Sequence, residues 1–112
     1  MDIKTLCEAQ ALTGREELLR KQIYTACVKK LGRDAVSLDG IGSVIAVRGA
    51  KKPGLPRVML AAHMDEVGLM VVSATEDGLL RFRAVGGVDA RVLVSKRVRV
   101  GYDTPEKPAL PG

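Results

Sequence analysis

The sequence predicts an α/β fold over residues 1–67 and an all-β segment over residues 68–112. Three observations carry this. Apolar residues recur at helical spacing through the first 31 positions. A near-continuous apolar run, "RVMLAAH", then has the character of a central strand covered on both faces. After Gly68 two strand-like runs flank an Asp-Gly pair, the mark of a hairpin.

The elements follow in order. Asp2 is placed to cap a first helix whose stripe is Ile3, Leu6, Cys7 and Gln10-Ala11. Thr13-Gly14 breaks it, and Thr13 with Glu16 three residues on predicts a capping box for a second helix. Leu19, Ile23, Ala26, Cys27 and Leu31 form its apolar stripe. Lys29 and Lys30 in the last turn suit the helix dipole, and Gly32 marks the end. The period then changes. "AVSLD" reads as a short strand, "DGIG" as a turn and "SVIAVRG" as a second strand, followed by the loop "AKKPGLP". The strand "RVMLAAH" ends at His63. Beyond Gly68, "LMVVSATEDGLLRFRAVGG" predicts strand, Asp77-Gly78 turn and strand. "RVLVSKRVRVGY" predicts one or two more strands, and the proline-rich "DTPEKPALPG" carries no helix signal.

Composition narrows the class. A chain of 112 residues is one domain or part of a larger one. Hydrophobic residues make up 46% and aromatics 3%, so any core is aliphatic. No apolar run approaches the roughly 18 residues that span a bilayer, and the N-terminus lacks the pattern of a secretory signal. Cys7 and Cys27 sit in helical patterns without a CxxC, which reads as buried free thiols in a reducing, cytoplasmic setting. The net charge is +5. The basic cluster Arg81, Arg83, Arg91, Lys96, Arg97 and Arg99 could be a nucleic-acid face. Phe82 is nearly alone as a stacking platform, so a solvated sheet face is the better reading. Neither nucleic acid nor membrane is expected as a partner.

The chemistry concentrates in "AAHMDEVG", which holds the only histidine. On a strand His63 and Asp65 share one face, while Met64 and Glu66 share the other. The carboxyl ends of central strands are where α/β sheets bind ligands. His63 there can ligate a metal through one ring nitrogen. Asp65 can hold the other N–H and fix the tautomer. One histidine is not a site, since zinc takes about three or four protein ligands. A structural histidine is the competing reading. A serine-nucleophile reading lacks its motif, because neither Ser43 nor Ser73 lies in G-x-S-x-G.

These residues resemble a known family. "VMLAAHMDEVGLMV", the "DG" hairpin and "RFRAVGGVDARVL" closely resemble the M42 metallo-aminopeptidases, which are glutamyl- or leucyl-aminopeptidase-like and are sometimes labelled endoglucanases. "LCEAQALTGREELLRKQI" is similar to the family's opening helices. "LDGIGSVIA" is similar to its D-x-x-G-N segment, with Ser43 where asparagine is expected. The resemblance implies a zinc-peptidase-like α/β catalytic domain, represented by residues 1–67, interrupted by an inserted PDZ-like β-domain that begins at residue 68. It implies a cytosolic enzyme that uses two divalent metal ions, zinc or cobalt, to remove N-terminal residues from peptides. It also implies a homo-oligomer assembled through the β-domain, often a dodecameric shell. His63 is implied as a metal ligand and Asp65 as its catalytic partner outside the ligand set. No pair of acids fits a glycosidase.

The family's bridging Asp, Glu-Glu pair, further Asp and final His lie beyond the inserted domain, past Gly112. The expectation is therefore an N-terminal portion that supplies one ligand and is inactive alone. Glu66 points away from His63 on the strand reading and is assigned a structural role rather than that of general base. The alternative is a non-catalytic truncated module that docks to a full-length peptidase through an exposed β edge.

Overall fold

A computed structural model describes residues 2–49, 53–101 and 109–111. The chain divides into two units. The first is Met1–Ala11 with Arg15–Met64, and the second is Leu12–Gly14 with Asp65–Gly112.

The first unit opens with α1 (Ile3–Glu8), and Asp2 caps it as expected, accepting from the Thr5 backbone N–H at 2.7 Å. That bond holds the Asp2 carboxyl below its usual range. The longer helix α2 (Glu17–Leu31) ends at Gly32, whose N–H closes onto the Val28 carbonyl. Its start differs from the capping-box expectation. Glu16 occupies the N-cap position and makes no side-chain cap bond. The Thr13-Gly14 turn and Arg15 intervene, so Thr13 stands too far before the first helical residue to reach its amides.

The two expected strands form as β1 (Val36–Leu38) and β2 (Val44–Ala46), and they pair antiparallel, with Ser37 opposite Ile45. Asp39 organises the turn between them. Its Oδ1 accepts from the backbone N–H of Ile41 at 3.1 Å and of Ser43 at 2.7 Å. The Ser43 side chain and then its backbone N–H hold the Asp39 carboxyl below its usual range. The serine that departs from the family's asparagine is thus a turn partner of Asp39. Helix α2 packs on both strands of the hairpin. The buried apolar residues of the described chain are Ala11, Leu19 and Val36, all in this unit.

Two further expectations fail in the first unit. "RVMLAAH" is not a strand. Residues 55–65 have no regular secondary structure, and Val58, Met59 and Leu60 are 83%, 86% and 94% exposed. A central parallel strand exists only between partner strands, because its backbone groups and both faces need cover. No described strand flanks this run, and the sheets of the described residues are two-stranded and antiparallel. The second failure is Cys7, which is exposed, while Cys27 is half-buried. Both thiols are free. The loop "AKKPGLP" falls partly outside the described residues, and Pro53-Gly54 within it forms a turn.

The second unit is built on the hairpin of β3 (Gly68–Ala74) and β4 (Leu80–Val85), antiparallel, with an irregularity between Val71 and Ser73. The Asp77-Gly78 turn forms as expected, closed by Thr75. Its N–H donates to the Leu79 carbonyl at 2.8 Å, and its hydroxyl oxygen accepts from the Leu79 N–H at 2.9 Å. The run "RVLVSKRVRVGY" is mostly not strand. Residues 90–92 form a 3-10 turn, Ser95 adopts a left-handed φ of 60°, and only β5 (Arg99–Val100) is extended and paired, with β6 (Leu110–Pro111). Asp89 causes the departure by capturing the Arg91 N–H at the start of that turn. Most of "DTPEKPALPG", residues 103–108, lies outside the described residues. No helix of the described residues is long and apolar enough to cross a membrane.

Candidate functional site

His63 and Asp65 fall on either side of the division between units. His63 belongs to the first unit and is exposed at the end of the irregular apolar run. Asp65 belongs to the second and is half-buried. The strand on which the pair was expected to share a face is not formed.

What the structure does build around the motif lies within the second unit. Leu12 and Glu66 make an isolated parallel bridge, which ties the Leu12–Gly14 turn to the chain after Asp65. Beside that bridge the Thr13 hydroxyl donates to Asp65 Oδ2 at 2.7 Å. A hydroxyl on a carboxylate at this distance is a charge-assisted hydrogen bond, stronger than a neutral one. Gly68 packs closely here too: a Cβ there would lie 2.7 Å from Leu12 Cδ1, the end of a flexible side chain that would have to turn aside. Glu66 contributes its backbone to that bridge.

A second interlock follows along the same unit. Gly86 has a φ of +79°, and a Cβ on it would lie 2.7 Å from Val67 Cγ1 and 3.3 Å from Val67 Cβ. Three residues later Asp89 grips Arg91. Its carboxylate accepts from the Arg91 backbone N–H and from Nε at 3.0 Å, and from Nη2 at 2.7 Å. The Arg91 side chain and then its backbone hold the Asp89 carboxyl below its usual range, and the pairing raises Arg91. The motif residues Asp65–Gly68 and Gly86–Arg91 are thus held by defined local contacts.

Thr13 is the site neighbour that sequence reasoning missed. Its hydroxyl was expected at the helix start. The Thr-Gly turn was visible, but nothing in one sequence pairs position 13 with position 65.

Metal-ligand chemistry was the other expectation. Among the described residues no group of three or more His, Cys, Asp or Glu side chains is arranged to hold a metal ion. His63 is the single imidazole of the sequence. A metal held at His63 would need further ligands beyond those the described residues gather.

Comparison with known proteins agrees with the motif. The M42 glutamyl aminopeptidase family pattern matches residues 42–109. The glutamyl aminopeptidase of Lactococcus lactis is 36% identical over 105 residues, which are 94% of this chain and 29% of that protein. The lysyl aminopeptidase of Pyrococcus furiosus is 36% identical over 97 residues, 87% of this chain and 27% of that protein. The chain thus spans between a quarter and a third of the length of these relatives.

Proposed function

The chain belongs to the M42 glutamyl aminopeptidase family, and from that premise we propose that it is the N-terminal part of a metal-dependent aminopeptidase that removes N-terminal residues from peptides. One observation carries the reading: the family match runs over residues 42–109 and takes in the whole of HMDEVG. In this proposal His63 supplies one ligand to a pair of divalent metal ions, zinc or cobalt, and Asp65 accepts the N–H of the other ring nitrogen. When bound, such metals would supply an activated water and polarise the peptide carbonyl. The work of Asp65 is to fix the tautomer and ring orientation of His63. Glu66 bridges through its backbone to Leu12 and takes no proton. Residues from 68 onward begin an inserted PDZ-like domain through which subunits of a cytoplasmic homo-oligomer associate.

The 112-residue chain is inactive alone on this proposal. The test is hydrolysis of a leucine anilide with added cobalt or zinc. The chain itself gives no turnover. A longer product of the same reading frame turns the substrate over and loses that activity in His63→Ala. Turnover by the 112-residue chain would overturn the inactivity, and an inert longer product would overturn the aminopeptidase reading.

One feature favours a second reading, in which the chain is a non-catalytic module that docks to a full-length peptidase. The β3–β4 sheet is two-stranded, and its outer edges pair with no other described strand. Such edges are templates for strand addition. Co-purification with a longer homologous chain supports this reading, and a clean monomer by light scattering counts against it.

A further inference from the structure

We propose that Asp77-Gly78, in the turn between β3 and β4, is a modification site at which the aspartate rearranges to isoaspartate, while the fold protects the equivalent Asp39-Gly40 pair.

The sequence holds two Asp-Gly pairs and no asparagine. Isoaspartate in this chain can therefore come only from aspartate. Glycine favours the reaction because it leaves its own nitrogen unscreened by a Cβ and its backbone free to turn. The glycine nitrogen bonds to the aspartate Cγ. The amide proton and a carboxyl hydroxyl leave as water, and a five-membered succinimide closes. Water then opens the ring. Breaking the bond from nitrogen to Cγ restores aspartate. Breaking the bond from nitrogen to the main-chain carbonyl carbon leaves the chain running through Cβ and Cγ, with a freed α-carboxylate. One water leaves and one returns, so no oxidant or reductant is needed.

The structure separates the two pairs. Asp39 Oδ1 accepts from the Ile41 N–H at 3.1 Å and from the Ser43 N–H at 2.7 Å. The Gly42 N–H closes onto the Asp39 carbonyl at 3.2 Å. The Arg20 guanidinium of α2 lies where a Cβ on Gly42 would stand, so helix and turn are packed together. Attack by the Gly40 nitrogen has to turn the carboxylate away from both amides. The same bonds hold the Asp39 carboxyl below its usual range. The ionised form is the poorer electrophile, because its oxygen must gain a proton before it can leave.

The Asp77 carboxylate is held by nothing of the kind. It is exposed, and no described residue donates to it. The bonds that close this turn belong to its neighbours. The Gly78 N–H donates to the Thr75 carbonyl at 3.1 Å, and Leu79 pairs with Thr75. Only the first of these involves a reacting atom, and an exposed two-stranded hairpin opens locally at little cost. Isoaspartate then adds one carbon to the main chain between Thr75 and Leu79, which spoils the geometry of that closure.

The test ages the 112-residue chain in native buffer and, in parallel, in urea. Samples are treated with an isoaspartate carboxyl methyltransferase and radiolabelled S-adenosylmethionine, whose methyl group passes to the freed α-carboxylate. Digestion and mass spectrometry locate the label. In urea both pairs convert at similar rates, since each is aspartate before glycine in an unfolded chain. In native buffer Asp77 converts about tenfold ahead of Asp39, the low end of what a hydrogen bond to a charged group is worth. Asp77→Glu loses the main signal, because the longer side chain has to close a larger ring.

Three results overturn the proposal. Label at Asp39 equal to or ahead of that at Asp77 in native buffer removes the protection. A native chain unlabelled at both pairs, while the urea sample is labelled, shows the β3–β4 turn closed to attack. The same ratio in urea as in native buffer assigns the difference to flanking residues rather than to the fold.

Discussion

Asp89 shows how much a single carboxylate can do on an exposed surface. It starts the 3-10 turn through the Arg91 N–H and grips the Arg91 guanidinium with both oxygens. Its folded-state pKa is lowered. A carboxyl lowered on folding contributes stability that is complete above its unfolded value, about 3.9, and is lost as pH falls through the folded value. Asp2 and Asp39 are lowered too, by the Thr5 backbone and by Ser43. The chain should therefore lose stability below about pH 4 through these carboxylates, and Asp89→Asn should flatten part of that fall. Melting curves of the two proteins between pH 2 and pH 6, as a rough span of that window, give the check. Identical acid slopes would mean that the fork contributes nothing. The residue scale is also where a single sequence is least legible. The "GGVDARV" pattern was visible as a family mark, but the Asp89–Arg91 grip and the Val67–Gly86 approach appear only in three dimensions. The expected strand at this point failed because a side-chain acceptor outcompeted the ladder for the Arg91 N–H.

At the scale of elements, local signals were read well wherever they were self-sufficient. The Asp2 cap, the Gly32 stop, the β1–β2 hairpin and the Asp77-Gly78 turn each depend on residues within a few positions, and each formed. Elements that depend on distant partners did not follow from the sequence. "RVMLAAH" has a strand's composition, but composition does not supply the strands beside it. Thr13 and Glu16 have a capping box's spacing, but α2 starts only at Glu17, beyond the reach of Thr13, whose hydroxyl donates to Asp65 instead. The β1–β2 turn offers a direct test of the local kind. Asp39 accepts from the N–H groups of both Ile41 and Ser43. In Asp39→Ala those amides should exchange faster than in the wild type, while amides in the middle of α2 keep their protection. Hydrogen exchange followed by NMR reads both at once. Unchanged exchange at Ile41 and Ser43 would show that the turn holds without its carboxylate.

Over the whole chain the described core is small. Ala11, Leu19 and Val36 are buried, while long aliphatic side chains in both units stand exposed. Local order should differ accordingly. Regions with few buried contacts and no paired backbone open with little free energy. Amides of residues 57–62 should exchange near the rate of an unstructured peptide in the 112-residue chain, and those of α2 far more slowly. Slow exchange across 57–62 would mean that this run is paired after all, and would restore the strand that the sequence suggested. The candidate site is divided in the same sense. Asp65 is held by defined contacts within the second unit, and His63 stands exposed at the end of the irregular run.

That run has a consequence for the chain's behaviour in concentrated solution. Val58 to Ala62 is five apolar residues without a charge or a proline, open to solvent. Windows of this kind seed the stacking of like segments from different molecules into fibrils. The flanking residues set the limit on it. Arg57 stands immediately before the window, and Asp65 and Glu66 follow it closely. Charges in these places act as gatekeepers, because stacking in register would bring like charges together at both margins. The acidic residues of HMDEVG would thus also guard the colloidal stability of the chain.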